Sequence, residues 1–293
     1  SFKDYLPPRL EEPLKFLELT PGMLLREGRR LLPKKSAGDD NISTFLLKET
    51  LSVTAPPLTA LFNKSLNTGL VPRSLKSAKI VPIHKSGAAD TFDNYRPISL
   101  LNSGSKLFER LVARQLLAHL TYHDLLYGHQ YGFRAGRNTL HPILVFLDKV
   151  KDALSNPAIG HCLAIFIDLK KAFDTVDHRI LLFKLGNMGV GGIELSWFQS
   201  YLEGRWQSVS IGEACSAPGL LTCGVPQGSV LGPLLFLIYI NDMPELVRAL
   251  TLLFADDTTM QLNGHDLEGL VLNMNVQLNL AEKWFIANRL TLN

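Results

Sequence analysis

The stretch Leu252-Leu253-Phe254-Ala255-Asp256-Asp257-Thr258-Thr259-Met260 places two adjacent acids between runs of apolar and β-branched residues. This pattern predicts a strand, a tight turn and a second strand, with the carboxylates held at the tip of a hairpin. Side-by-side carboxylates repel each other, so placing them there is unfavourable unless cations are shared between them. A solvated Asp-Asp turn is the alternative that this stretch alone leaves open.

A third acid follows another apolar run. His161–Asp168 is apolar up to its last residue, which predicts a central strand whose polar end lies at the edge of a sheet. If this strand lies beside the acidic hairpin, Asp168 comes within one metal ion's reach of Asp256.

Residues 161–290 alternate between predicted helices and strands. This order predicts an α+β fold in which an antiparallel sheet has helices packed on one face. The other predicted elements are a helix from Leu169 through Asp177 to Leu185, a helix over Ile193–Leu202 with a core-facing Trp197, Phe198 and Tyr201, a β-hairpin around Gly212-Glu213, a buried helix ending near Asn241-Asp242 and a long amphipathic helix over Asp266–Arg289.

The first half of the chain predicts a helical lead-in over residues 1–33, broken by prolines, and a polar connector over Lys34–Asn41. A mostly helical stretch then follows, and after it two strands. Ser103 is a good N-cap for the next helix, whose apolar residues recur on one face. The predicted ranges are Thr44–Asn67 for the helical stretch and Leu75–Ile83 and Asp93–Leu100 for the strands.

Composition indicates a globular chain of one large domain or two ordinary ones, since 46% of its 293 residues are hydrophobic and 19% are charged. Residues 1–140 carry 20 Lys and Arg against 12 Asp and Glu, whereas residues 141–293 carry 10 against 15. A basic first half and an acidic second half suit a polyanion held by one part and cations by the other, although random scatter of surface charge would also give such a split.

The sequence predicts neither a membrane-spanning segment nor a secretory signal peptide. The longest apolar run, Val230–Ile240, falls well short of the ~20 residues that span a bilayer. The chain starts at Ser1 with no charged-then-apolar leader, which suggests a piece of a longer polyprotein. Cys162, Cys215 and Cys223 form no metal-binding pattern, so we expect buried fillers in a reducing, intracellular compartment.

The stretch Gln130–Thr139 is a loop punctuated by glycines and carrying Arg134 and Arg137, and Thr139 is placed to cap the helix that follows. Such a loop can approach a phosphate chain closely and grip it. An exposed basic loop without a ligand is the alternative.

Three carboxylates converging on a sheet are what two-metal phosphoryl transfer requires, because Mg²⁺ takes hard oxygen ligands and keeps waters for substrate phosphates. No Ser-His-Asp or Cys-His pattern competes with this interpretation, and His161, His178 and His265 stand singly.

Five stretches, in order and spacing, resemble the motifs of reverse transcriptases, and their connecting residues are similar to the non-LTR (LINE-type) retrotransposon subgroup. The resemblance runs from about Lys34 to the end of the chain. The five are Asn94-Tyr95-Arg96-Pro97-Ile98-Ser99, Gly132-Phe133-Arg134-Ala135-Gly136-Arg137, Phe166-Ile167-Asp168-Leu169-Lys170-Lys171-Ala172-Phe173-Asp174, Gly224-Val225-Pro226-Gln227-Gly228-Ser229 and Phe254-Ala255-Asp256-Asp257.

This resemblance implies a right-hand polymerase fold: a lead-in over 1–33, helical and β fingers over 34–160, and a palm over 161–293. The thumb is expected to be absent, as is the lysine of the next palm motif. The connector Lys34–Asn41 follows the subgroup's pattern only loosely.

The resemblance also implies the roles of individual residues. Asp168, Asp256 and Asp257 match the catalytic, metal-binding triad for two Mg²⁺ ions (Mn²⁺ being an alternative), with the carbonyl of Leu169 as an extra ligand. Phe173 matches an aromatic gate that excludes a 2′-OH, unless it is only a core aromatic. The incoming nucleotide would meet Gln227 and Gly228, and phosphates of the triphosphate or template would meet Lys85, Arg96, Arg134 and Arg137.

The implied partners are an RNA template, a DNA primer or target and dNTPs, in the nucleus and cytoplasm and with no membrane. The implied reaction is attack of a primer 3′-OH on the α-phosphate of a dNTP. An inactive retrotransposon remnant, or a co-opted fragment that binds nucleic acid, is the alternative. An RNA-templated RNA polymerase is disfavoured by Phe173 and by the Phe-Ala that precedes the acid pair.

Overall fold

The computed structural model describes all 293 residues. The chain contains eight α-helices and eight strands, besides short 3₁₀ turns. The helices are α1 Pro21–Arg29, α2 Thr44–Thr68, α3 Ser103–Tyr122, α4 Leu140–Ser155, α5 His178–Asn187, α6 Gly192–Leu202, α7 Leu231–Ile240 and α8 Leu267–Ala287. The strands are β1 Ser77–His84, β2 Tyr95–Leu101, β3 His161–Ile167, β4 Arg205–Ile211, β5 Ala214–Cys215, β6 Gly219–Leu221, β7 Leu250–Phe254 and β8 Asp257–Gly264.

The acidic hairpin and the strand before Asp168 form a three-stranded antiparallel sheet in the order β3-β8-β7. β7 and β8 pair up to Phe254 opposite Asp257, which confirms the predicted hairpin. β3 pairs with β8 up to Ile167 opposite Thr258, as the sequence predicted. The prediction that β3 is central was wrong: β8 is the central strand, paired with β7 on one side and β3 on the other, and β3 lies at the edge.

Helices cover both faces of this sheet. Ile165 and Ile167 pack against the main core on the face that α8 contacts. Phe166, which lies between them in the strand, points the other way, and its ring centroid lies 5.8 Å from that of Phe146 in α4. The predicted arrangement with helices on one face was therefore wrong: α4, from the first half of the chain, contacts all three strands.

A second sheet joins the two halves of the chain. Its strands follow the order β2-β1-β4-β5, with β6 also paired to β4. β1 and β2 are antiparallel, as expected of the two predicted strands, whereas β1 and β4 are parallel, with Ser77 opposite Trp206. The division at residue 160 stays a prediction, since one core of 47 buried residues runs from Leu14 to Leu290 across it.

The apolar run before Asn241 forms α7, and every residue of that helix except Pro233 is buried. A helix that is apolar on all sides is stable only when other elements surround it. Lys184 of α5 is buried against its C-terminal end, where its Nζ donates to the carbonyl of Tyr239 and lies 2.6 Å from Asp242. The predicted core helix α6 is also confirmed, because Trp197, Phe198 and Tyr201 are buried.

Several local predictions need correction. The lead-in is helical only over Phe2–Tyr5 and α1, and residues 6–20 are irregular, held by backbone bonds such as Leu14 N–H to Gly189 C=O at 2.9 Å. The N-cap position of α3 is Asn102 rather than Ser103, and neither side chain caps the helix: Asn102 donates to Ser74 C=O and the Ser103 hydroxyl to Ile42 C=O. None of the helices is long and apolar enough to cross a membrane.

The segment after β3 is also less regular than predicted. A 3₁₀ turn over Ala172–Asp174 stands where a continuous helix was expected, and α5 begins only after Asp177, whose carboxylate caps it. All three cysteines are free thiols, and the prediction that they are buried fillers was wrong: Cys215 and Cys223 are exposed, and Cys162 is only partly buried.

Candidate active site

The three acids lie at adjoining ends of adjacent strands. Asp256 occupies the turn between β7 and β8, and Asp257 is the first residue of β8. Because Ile167 lies opposite Thr258, the next residue of the edge strand, Asp168, continues toward Asp257. The register therefore places all three acids at the same end of the sheet, while their sharing of one metal ion stays a prediction.

The acids act on one another electrostatically. Burial raises the pKa of Asp256, the charges of Asp257 and Asp168 raise it further, and Arg96 opposes the shift. Burial, followed by the charge of Asp168, also raises the pKa of Asp257. Burial and mutual repulsion thus both disfavour the charged forms of these carboxylates, and a bound cation would offset both effects.

The chemistry of the donors fits a hard divalent cation, which takes carboxylate oxygens. The side chains are not gathered into a finished site: no group of three or more His, Cys, Asp or Glu side chains is arranged to hold a metal ion. One oxygen of Asp168 accepts from the side-chain amide of Asn293 at 2.7 Å. Leu169 directly follows this acid, and its side chain is buried in the core.

Phe173 lies where three of the predicted motifs meet. Its ring stacks on Phe236 of α7, with ring centroids 4.6 Å apart, and Phe133 meets it edge-on at 6.1 Å. The carbonyl of Phe173 accepts from the N–H of Val225 at 2.8 Å. The ring is half-buried, so it has packing partners beneath it and a remaining exposed part.

Gln227 joins two motifs. Its Nε2 donates to Asp174 at 2.9 Å, and its carbonyl accepts from the N–H of Ser99 in β2 at 2.6 Å. Gly228 has a φ of +114°, and a Cβ there would lie 2.7 Å from the Ser99 carbonyl, so only glycine allows this close approach. Burial raises the pKa of Asp174.

The four predicted phosphate-binding residues fall into two pairs. Arg96 and Lys85 are exposed on or just after strands of the second sheet; Arg96 lies close enough to act on Asp256, and Lys85 on Asp174. The guanidinium groups of Arg134 and Arg137 instead donate to carbonyls of their own loop, Arg134 to Tyr127 and Arg137 to Gly128 and Gln130.

The loop that carries these arginines approaches the acid turn rather than open solvent. A Cβ on Gly132 would lie 2.3 Å from the backbone nitrogen of Ala255. The sequence identified Gly132 as a point of close approach, but it predicted a phosphate as the neighbour. Sequence reasoning missed Gln130, whose buried side chain bonds this turn, and Phe133, whose ring meets Phe173; no spacing pattern distinguishes either residue.

A further contact missed by the sequence joins the two halves of the chain. Lys171 has a φ of +51° and its Nζ lies 2.7 Å from Asp93, just before β2. This hydrogen bond, followed by the charge of Lys171, lowers the pKa of Asp93. Both side chains are about half exposed or more, so the pair aligns the segments more than it stabilises them.

An acid pair on a β-hairpin, a third carboxylate on the neighbouring strand, an aromatic ring and a close-packed glycine loop are the parts that a nucleotidyltransferase of the polymerase class requires. The chain belongs to the reverse transcriptase family: residues 83–293 match the family described as reverse transcriptase (RNA-dependent DNA polymerase).

Relatives of this chain come from non-LTR retrotransposons. It is 36% identical over 244 residues to the "Probable RNA-directed DNA polymerase from transposon BS" of Drosophila melanogaster, covering 80% of this chain and 27% of that protein. It is 30% identical over 288 residues to the RNA-directed DNA polymerase from mobile element jockey of the same organism, covering 94% and 31%. The chain thus spans less than a third of the length of these relatives.

Proposed function

We propose that this domain is an RNA-directed DNA polymerase that transfers nucleotides from dNTPs to a primer 3′-OH. The observation that carries the proposal is the convergence of Asp168, Asp256 and Asp257 at one end of a sheet, where two of the carboxylates have raised pKa values because they are partly buried and repel one another. Relatives that are named RNA-directed DNA polymerases support the same reaction.

In this proposal the acids bind two divalent cations, Mg²⁺ or Mn²⁺, aided by the carbonyl of Leu169; reverse transcriptase domains generally use such cations. When bound, the ions would stabilise the charge of the attacking and leaving oxygens. Arg96, close to Asp256, would attract the triphosphate to the acids. Lys85 would act similarly beside Asp174.

Phe173 would select the sugar. A ring that is stacked on Phe236 from one side cannot yield easily to a bulkier ligand, because both rings are packed in place. A 2′-OH would collide with the exposed part of such a ring, whereas a deoxyribose would not. Gln227 and Gly228 would lie beside the incoming nucleotide, since their loop is bonded to the turn that carries Asp174.

The division into fingers over 34–160 and palm over 161–293 belongs to the same proposal. The predicted palm holds all three acids and the sheet that positions them. The predicted fingers supply Arg96, and Arg134 and Arg137 as contacts for template phosphates once a ligand replaces their loop carbonyls. The partners proposed are an RNA template, a DNA primer or target and dNTPs.

The experiment is extension of oligo(dT) on poly(rA) with Mg²⁺ or Mn²⁺, run in parallel with dTTP and with UTP. The proposal expects incorporation of dTTP and strong discrimination against UTP. Equal use of both would reject a deoxynucleotide-selective site. A protein that binds the template-primer without extending it would favour the alternative, a nucleic-acid-binding domain without catalysis.

A further inference from the structure

Gln130 is a buried glutamine in the loop before Gly132, with a relative exposure of 2%. Its Oε1 accepts the N–H of Gly132 at 2.8 Å and the N–H of Ala255 at 3.0 Å. Its Nε2 donates to the carbonyl of Ala255 at 3.4 Å. One side-chain amide therefore bonds both backbone groups of the residue that precedes Asp256.

The backbone around Gln130 is bonded to the same hairpin. Tyr131 N–H donates to Leu253 C=O at 2.8 Å, and Leu253 N–H donates to His129 C=O at 3.0 Å. Gln130 and Leu253 form a parallel bridge, so residues 129–131 act as a short additional strand beside β7. These backbone hydrogen bonds fix the register of residues 129–131 along β7 and so place the side chain of Gln130 at the turn.

Ala255 needs such support. Its φ is +58°, a conformation in which a residue with a Cβ is strained by about 1–3 kcal/mol unless its surroundings hold it. Ala255 is also buried, so its N–H and C=O would go unpaired if the Gln130 amide were removed. A turn that loses both bonds would relax toward a conformation with φ < 0, and the Asp256 side chain would move with it.

We propose that Gln130 is a positioning residue for the metal-binding acids, which holds the Ala255–Asp256 turn in its strained conformation. This inference rests on the proposed function, because it assigns Gln130 a part in the same site. The loop also leads into Phe133, whose ring meets Phe173. Release of the turn would therefore disturb the sugar gate as well.

The test compares two variants with a matched control. Gln130→Met keeps the volume of the side chain and removes both the acceptor and the donor, whereas Gln130→Glu, whose carboxyl group is kept protonated by burial, keeps the acceptor for both N–H groups and a donor for Ala255 C=O. Gln277→Ala is the control. Gln277 lies on α8, away from the acid turn, and is similarly buried, and its Oε1 accepts the backbone N–H of Arg248 at 2.7 Å.

Three readouts are taken on each protein: hydrogen–deuterium exchange over residues 129–133 and 252–257, Mn²⁺ affinity by electron paramagnetic resonance, and kcat and KM for single-nucleotide extension. Gln130→Met should speed exchange at the acid turn and lower Mn²⁺ affinity and kcat by about 10–100-fold, the range for losing an outer partner of a metal ligand. Gln130→Glu should keep slow exchange, and Gln277→Ala should change none of the three.

Wild-type exchange and Mn²⁺ affinity in Gln130→Met would overturn the inference. Fast exchange in Gln130→Glu would also overturn the inference, and this variant decides the matter if Gln130→Met is too unstable to purify. The same losses in Gln277→Ala would overturn it too. Failure of the wild-type protein to bind Mn²⁺ would instead count against the proposed function, while the exchange measurement would still decide whether Gln130 holds the turn.

Discussion

Gly132→Ala is the substitution whose effect follows most directly from the backbone geometry. The added Cβ would lie 2.3 Å from the nitrogen of Ala255, 2.9 Å from its Cα and 3.0 Å from the carbonyl carbon of Phe254. Carbon atoms in favourable contact are about 3.5–4.0 Å apart. All three neighbours are backbone atoms, so no side chain can rotate away and the loop must separate from the hairpin.

That separation has a calculable cost. Moving the loop by about 1 Å to restore ordinary contact distances lengthens the two ladder bonds between His129–Tyr131 and Leu253 and the bond between Gln130 and Ala255. Each such bond contributes about 1 kcal/mol, and overpacking a tight contact costs about 1–3 kcal/mol. The loop can relieve the overpacked contact only by stretching these hydrogen bonds, so the two costs do not add in full. We expect a loss of about 2–4 kcal/mol in the free energy of unfolding.

Gly128→Ala is the matched control. Gly128 lies in the same loop, and a Cβ there would meet nothing within 4 Å. Its substitution should leave the free energy of unfolding unchanged, or raise it by about 0.4–1 kcal/mol through the unfolded state. Urea unfolding followed by circular dichroism measures both, and primer extension by the folded proteins should fall only in Gly132→Ala. Equal stability and activity of the two variants would refute the close approach of loop and hairpin.

Three further predictions concern other parts of the site and its support. Phe173→Ala should admit ribonucleotides, measured as the ratio of kcat/KM for dTTP and UTP; an unchanged ratio would reject the gate. Lys184→Met should cost about 3–5 kcal/mol in urea unfolding, because it leaves the buried Asp242 without its charged partner and with only the Trp284 N–H. Burial lowers the pKa of Lys184 to about 8, against 10.5 in the unfolded state. Between these two pH values the unfolded state binds more protons, so the contribution of Lys184 to stability rises with pH. A difference in free energy of unfolding between wild type and Lys184→Met that shrinks from pH 8 to pH 10 would contradict this sign. Gly224→Ala should destabilise by about 1–3 kcal/mol, since φ is +82° there and a Cβ would lie 2.7 Å from the Asp174 carbonyl; an unchanged urea midpoint would contradict it.

Local patterns predicted the elements that carry the acids. Apolar and β-branched residues on both sides of Asp256-Asp257 predicted the hairpin, and the apolar run before Asn241 predicted α7 as a buried helix. Both predictions succeed because each element is determined by the burial of its own contiguous apolar residues. Adjacency of β3 and β8 also followed, since strands that carry acids to one site have few ways to pair.

Long-range placement was beyond such patterns. The parallel pairing of β1 with β4 and the contacts of α4 with β7 and β8 join segments that lie far apart in the chain. Gln130 is a polar residue in a loop and carries no periodic signal, so only the folded chain shows that its amide bonds the turn at Ala255. Arg134 and Arg137 show the converse: a basic loop predicts phosphate contacts, yet its carbonyls hold both guanidinium groups.

The most direct test of the proposed reaction is primer extension by the wild-type protein, Asp256→Asn and Asp266→Asn. Asp266 only caps α8, a role that asparagine also fills. We predict that Asp256→Asn loses more than the roughly 10–100-fold typical of an outer partner, while its urea midpoint equals or exceeds that of the wild type, because burial and repulsion raise the pKa of Asp256 and asparagine removes that charge. Asp266→Asn should extend as the wild type does. Equal extension by all three proteins, or none by the wild type, would contradict the assignment of a polymerase site to these acids.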